Sequence, residues 1–236
     1  MAEPLVLLPG MMCDARLFGP QIAELSAEFS IMVSPITRGE RVEEIASGLL
    51  DELPARFALA GLSMGGIVAM ELLRRAPDRV TRLCLMDTSP LAETPQASTA
   101  REPQIVKVRT GQLQELMRDD VLPEYLGPGP FRAEITELML DMADALGPEV
   151  FVRQSRALQR RRDQQGTLRK CKVPTLVLCG EHDALCPVKR HSFMAELIPG
   201  AELRVMEGAG HIPTLERPAE VTQALRDWMR QPLILR

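Results

Sequence analysis

At 236 residues, 45% of them apolar, the chain has material for one sizeable domain with a large core. Its 28 basic and 32 acidic side chains leave a net charge of −4, which argues against a general affinity for nucleic acid or anionic membranes. Five cysteines, odd in number and without a Cys-x-x-Cys pair, speak against a disulfide framework or a zinc ribbon and point to the cytoplasm, and an aromatic content of 3% argues against sugar recognition by stacked rings.

The apolar run Leu5 to Met12 follows Glu3 and Pro4, has no basic leader and is too short to span a bilayer, so Leu5–Leu8 reads as a first strand. A helix is predicted over Ala15–Glu28, a strand over Ile31–Pro35 and a helix over Val42–Leu53. Phe57–Ala60 reads as a buried strand, Met64–Arg75 as a helix that stops before Pro77, and Arg82–Met86 as a strand. The rhythm then breaks. Ser89–Pro103 reads as an exposed connection, followed by helices over Gln112–Tyr125 and Arg132–Leu146 and a basic helix over Glu149–Arg162. Strands at Thr175–Cys179 and Glu202–Met206, with helices at Val188–Leu197 and Pro218–Met229, complete the pattern. Alternation of this kind implies an α/β fold with a parallel sheet and helices on both faces, and ligand sites in such sheets lie at the carboxyl ends of strands. Residues 1–88 and 171–236 are expected to form the core, with 89–170 as a helical insertion over its edge.

Between the third strand and its helix stands Gly61-Leu62-Ser63-Met64-Gly65. A sharp strand-to-helix turn holds its serine in a strained backbone conformation and passes so close to neighbouring chain that Gly61 and Gly65 must lack side chains. Ser63 Oγ is thereby projected outward, and the Met64 N–H at the helix start faces the place where negative charge would develop. A phosphate loop needs Lys and then Ser or Thr after its last glycine, whereas Gly66 is followed by Ile67 and Val68. A tight turn with an idle serine remains open on this segment alone.

A nucleophilic serine needs a base, normally a histidine held in its tautomer by a carboxylate. Of three histidines, His211 follows Gly208 and Gly210 just beyond the last strand, and it is the preferred base. His182 and His191 fall after the fifth strand, and His182 competes by position. Asp183, beside His182 at the end of that strand, is the preferred acid. The order Ser63, Asp183, His211 is the chain order of one of the convergent triads.

At this point the chain resembles the α/β-hydrolase superfamily. The resemblance rests on Leu7-Leu8-Pro9-Gly10 at the oxyanion loop, Gly61 to Gly66 at the nucleophile elbow, Gly180 to Pro187 at the acid loop and Gly208-x-Gly210-His211 at the histidine loop. It implies a carboxylesterase-like serine hydrolase, similar to pimeloyl-carrier methyl esterases and enol-lactonases, acting on a small ester without cofactor or metal. It also implies that 89–170 is a variable helical cap. Many relatives carry His-Gly where this chain has Pro9-Gly10, which leaves the Met11 amide able to serve as oxyanion donor with that of Met64. The sheet begins later than the usual eight strands, so about six are expected. Lactone, thioester or carbon–carbon hydrolysis, and a catalytically silent ligand-binding relative, are the alternatives.

Three groups carry competing readings. Asp87, ending the fourth strand, is the second choice for the acid and otherwise caps the turn at Thr88 and Ser89. Cys186 lies near His182 and Asp183, but with Pro187 next and no suitably spaced fourth ligand a packed thiol is preferred to a metal ligand. Arg153, Arg156 and Arg160, in a run that continues through Arg161, Arg162, Arg169 and Lys170, share a helical face. That face would greet an acidic substrate or an acidic carrier protein, or it is simply solvated, which is the preferred reading.

Overall fold

The structure, a computed structural model, describes residues 3–233. Six strands, β1 (Leu5–Leu8), β2 (Ile31–Val33), β3 (Phe57–Leu62), β4 (Val80–Met86), β5 (Thr175–Gly180) and β6 (Glu202–Met206), form one parallel sheet in the order β2-β1-β3-β4-β5-β6. The helical segments are α1 (Gly19–Leu25), α2 (Val42–Glu52), α3 (Met64–Arg75), α4 (Pro95–Arg109), α5 (Leu113–Glu115), α6 (Arg132–Leu146), α7 (Pro148–Gln159), α8 (Gln165–Leu168), α9 (Val188–Leu197), α10 (Pro213–Glu216) and α11 (Pro218–Arg230). No helix among the described residues is long and apolar enough to cross a membrane.

Side chains of a strand alternate between faces, and in the central strands β1, β3, β4 and β5 both faces are dry. Leu5, Leu7, Ala58 and Ala60 enter one core with α1 and α11, whereas Val6, Leu8, Phe57 and Leu59 enter the other with α2, α3 and α9. Trp228 of α11, fully buried, anchors the first. From β1 the chain moves outward to β2, then crosses back to β3 and continues the other way to β6. The direction therefore reverses between β1 and β3, where loops from adjacent strand ends part and leave a crevice. Met11 and Met12 follow β1 there, and Ser63 follows β3.

Most predicted elements agree with the structure to within two residues, and the differences have local causes. β3 and β4 are longer than expected because Gly61 and Leu62 pair with Leu85 and Met86, and Phe57 pairs with Val80. β2 stops at Val33, before Pro35. The helix expected from Ala15 starts as a tight turn over Ala15–Phe18 and restarts at Gly19, where Pro20 suits a first turn that has no use for its N–H.

The segment after β4 departs further. Ser89–Pro103 is not all connection, because α4 begins at Pro95 and runs through Pro103 to Arg109. Thr94 caps it, its Oγ1 accepting from the Ala97 amide at 3.2 Å, and Ile105 and Val108 bury against the interior. Those contacts outweigh the one helical bond that Pro103 cannot donate. The helix expected over Gln112–Tyr125 is broken instead into α5, a wide π turn over Leu116–Val121 and a tight turn over Leu122–Glu124. Wide turns of this kind redirect side chains and recur at functional sites. Here Met117 and Val121 face the cavity over Ser63.

Candidate active site

Ser63 has φ 54° and ψ −115°, a backbone conformation that a non-glycine residue adopts only when its surroundings impose it. The imposition is visible in its bonds. The Ser63 amide donates to the Met86 carbonyl at 2.8 Å, and its own carbonyl accepts from Thr88 Oγ1 at 2.7 Å and from the Gly66 amide at 3.0 Å. A Cβ on Gly61 would overlap the backbone of Gly65, and one on Gly65 would overlap the carbonyl of Leu8. Strand β3, the start of α3 and the loop after β1 thus touch backbone to backbone, as a glycine at each position requires.

His211 and Asp183 reach the same point from β6 and β5. A Cβ on Gly180 would overlap the Gly210 carbonyl, and the His182 amide donates to the Ala209 carbonyl at 2.8 Å. The two loops therefore lie in direct contact. His211 Nε2 stands 2.8 Å from Ser63 Oγ, and His211 Nδ1 stands 2.8 Å from Asp183 Oδ2. Because a carboxylate only accepts, Nδ1 carries the proton and Nε2 is free to accept from the serine hydroxyl. The Tyr125 ring meets the imidazole edge-on at 4.9 Å, and the Tyr125 carbonyl accepts from the His211 amide at 2.6 Å.

Asp183 is buried, and burial alone would raise its pKa; the hydrogen bond and charge of His211 and the Cys186 amide outweigh this and hold it below the usual carboxylate range. Its second oxygen, Oδ1, accepts from the amides of Leu185 and Cys186, both at 2.9 Å. Asp87 is differently placed. Its Oδ1 accepts from the Gly180 amide at 2.8 Å and its Oδ2 is buried without a partner. Burial and then the charge of Asp183 push its pKa well above the usual range.

His182 lies at the surface beside Glu181, whereas His191 is wholly buried. His191 Nε2 accepts from the Thr88 amide at 3.0 Å, and burial lowers its pKa to about 4. Among the described residues, two groups of three donors could hold a metal by proximity, Asp183–Cys186–His211 and Asp87–Asp183–His191. In the first, both imidazole nitrogens face Asp183 and Ser63; in the second, the Nε2 lone pair of His191 is already taken. Burial pushes the Cys186 thiol up out of the range where a thiolate forms.

Met11 and Met64 flank Ser63 on the cavity wall. As first residue of α3, Met64 has no intrahelical acceptor for its N–H, and the Met11 amide donates to no protein group among the described residues. Met12 is held differently. It has φ 56°, and its amide donates at 2.9 Å to Oε1 of Gln154, a fully buried residue of α7 whose Nε2 donates to the Ile36 carbonyl at 3.2 Å. Sequence reasoning missed Gln154. Its signal was a polar residue on the stripe Val150, Ala157 and Leu158 of an amphipathic helix, where a buried amide must find partners.

The cavity above Ser63 has a volume of about 450 Å³, in the range of small-molecule sites, and its outer wall is built by α4, α7 and the segment between them. The expected basic face does not stand free around it. Arg153 donates to the Thr37 carbonyl at 3.0 Å, Arg156 pairs with Glu102, and Arg160 lies 3.7 Å from Glu40.

A parallel sheet that delivers a serine, a carboxylate and a histidine to one crevice, in that chain order, has the architecture of an α/β hydrolase. Residues 5–224 match the family model described as the alpha/beta hydrolase family, and the chain belongs to that family. It is 29% identical over 210 residues to the pimeloyl-[acyl-carrier protein] methyl ester esterase of Aromatoleum aromaticum, covering 82% of each chain. Among solved structures, a malate-bound thermophilic esterase from Thermogutta terrifontis superposes with a TM-score of 0.89 at 31% identity, covering 97% of this chain and 89% of that one. The enol-lactonase of Burkholderia xenovorans superposes with a TM-score of 0.86 at 26% identity, covering 97% and 92%.

Proposed function

We propose that the chain is a serine esterase that cleaves a small carboxylic ester through an acyl-enzyme on Ser63. The observation that carries this reading is the continuous hydrogen-bonded path from Ser63 Oγ through His211 to Asp183, both links at 2.8 Å. His211 takes the Ser63 proton as Oγ attacks the ester carbon, and Asp183 stabilises the imidazolium. The amides of Met11 and Met64 receive the oxyanion. The alcohol leaves with the proton from His211; water then gives a proton to His211 as its oxygen attacks the acyl carbon, and Ser63 regains its proton as the acid departs.

In this reading the helices between β4 and β5 act as a cap that decides which ester enters. The relatives named as esterases support ester cleavage, and that from Aromatoleum aromaticum is named for a carrier-bound methyl ester. Engagement of Arg153, Arg156 and Arg160 by neighbours within the chain supports a free small molecule over a carrier protein as the usual substrate. Five unpaired cysteines, four of them buried, fit a reducing cytoplasm.

A fluorophosphonate probe tests the class: it is expected to label the wild-type protein and not Ser63→Ala. Failure to label the wild type sinks the esterase reading and leaves a ligand-binding relative. A panel of p-nitrophenyl esters of varied chain length and charge then ranks substrates.

A further inference from the structure

One wall of the cavity over Ser63 carries two arginines and a single carboxylate. Glu93, just before α4, accepts from Arg101 Nη2 at 3.3 Å and lies 3.8 Å from Arg161 Nε, and all three residues line the cavity. The side chain of Arg161 is only 14% exposed, yet its guanidinium donates no hydrogen bond among the described residues. Arg101 is 21% exposed, and its Nε is likewise buried without a partner.

This is an expensive arrangement for a scaffold. A shielded guanidinium has five donors, and a structural arginine such as Arg79 spends both Nη groups on the carbonyls of Leu50, Leu53 and Pro54, even though its Nε is also buried without a partner. Arg161 instead makes no hydrogen bond among the described residues and lines a space large enough for a small molecule. The charges facing that space are unequal as well. Glu93 balances one of the two guanidinium groups on this wall, while Asp87 is buried against the Gly180 amide and His211 is spoken for by Asp183. Asp120 and Glu124 sit at the exposed rim, Asp120 held by Lys107 at 3.1 Å. Behind the wall, Arg190 donates to Ser89 Oγ at 2.7 Å and adds a further positive charge. This wall thus sets two guanidinium groups around one carboxylate, with forked donors left unused, the combination that recognises a planar carboxylate.

We propose that Arg161 and Arg101 form an anion-recognition subsite, so that the substrate is a small ester bearing a carboxylate, such as the half-ester of a dicarboxylic acid. This rests on the esterase reading of Ser63. Burial lowers the proton affinity of Arg161, Glu93 opposing and Arg101 and Arg190 adding to that effect, and a bound carboxylate would relieve the strain.

The test compares monomethyl with dimethyl glutarate, and acetylated glycolate with methyl acetate, so that the carboxylate is placed first on the acyl and then on the alcohol side. For at least one pair, kcat/KM of the anionic member is expected to exceed that of the neutral member by about tenfold or more, through KM. In Arg161→Gln that ratio should fall at least about tenfold, with Arg161→Lys between, because an ammonium keeps the charge but not the fork. A wild-type ratio near one for both pairs, or an equal loss on anionic and neutral esters in Arg161→Gln, overturns the subsite. Calorimetry of glutarate binding to Ser63→Ala decides the same point without turnover. Binding that weakens about tenfold when Arg161→Gln is added supports the subsite, and absence of binding at millimolar glutarate overturns it, even if no ester is cleaved and the esterase reading itself has failed.

Discussion

Asp87 and Asp183 end neighbouring strands and face one another in the interior, yet only Asp183 receives the His211 Nδ1 proton, at 2.8 Å, while Asp87 receives the Gly180 amide. Burial holds the pKa of Asp87 up, whereas His211 holds that of Asp183 down. Asp183→Asn should lower ester turnover by about four orders of magnitude, through a wrong imidazole tautomer. Asp87→Asn puts a neutral isostere in place of an acid whose pKa is raised, at a distance from the His211 proton, and should cost less than about tenfold. Steady-state kinetics on one p-nitrophenyl ester decides between them, and equal losses would refute this assignment.

Gln154 ties α7 to the loop that carries Met11 and Met12. Gln154→Leu leaves the Met12 amide and the Ile36 carbonyl buried without partners, so stability should fall by about 2–4 kcal/mol in urea titrations. Because Met12 sits at φ 56° next to a proposed oxyanion donor, kcat should fall more than KM changes. A stable variant with unaltered kcat would show that the loop holds its shape alone.

Acid should weaken the fold through His191 before it reaches the carboxylates. Its folded pKa of about 4 lies below the unfolded value of 6.5, so the folded state binds fewer protons. Stability is complete above pH 6.5 and is lost as pH falls toward 4, by up to about 3 kcal/mol. Asp87 acts in the opposite sense, its raised pKa adding stability at low pH that is lost as pH rises, so the measurement belongs in an Asp87→Asn background. Urea midpoints between pH 7 and 4.5 should decline in that background and flatten when His191→Gln is added. An unchanged slope would assign the acid limb elsewhere.

Gly65→Ala should be among the most damaging single-methyl changes in the chain. Its Cβ meets the carbonyls of Leu8 and Pro9, which are backbone and cannot swing aside. A loss of about 3 kcal/mol or more is expected, seen as a lower melting temperature, with poorer activity in whatever folds. Gly48→Ala, on α2 with open space around it, serves as the control and should be neutral or stabilising.

The sheet and the meeting of Ser63, Asp183 and His211 were legible because Ser63 and Asp183 follow apolar runs that read as buried strands, His211 follows the alternating run Glu202–Met206, and parallel strands end on the same side. The segment after β4 was harder. Thr94-Pro95 carried a helix-start signal, but Pro103 and the polar run around it read as a break, and only the burial of Ile105 and Val108 against other helices overrules that reading. The arginine run shows the same limit. Helical spacing grouped Arg153, Arg156 and Arg160, whereas the side chain that enters the cavity is Arg161, one residue off that face and past the end of α7. Where a chain leaves its helix is set by tertiary packing and not by period.

The Gln154 amide also limits how freely this chain can exchange parts. Substrate range in such a molecule would be altered most simply by swapping the whole stretch between β4 and β5 for another of different length or lining. A transplanted stretch that lacks a buried carboxamide at the place of Gln154 would unfasten Met12 on the far side of the sheet order, and the new pocket would arrive with a loosened reaction centre. Recombination across this boundary is therefore expected to succeed when that one side chain travels with the donor helices, and to yield folded but sluggish hybrids when it does not.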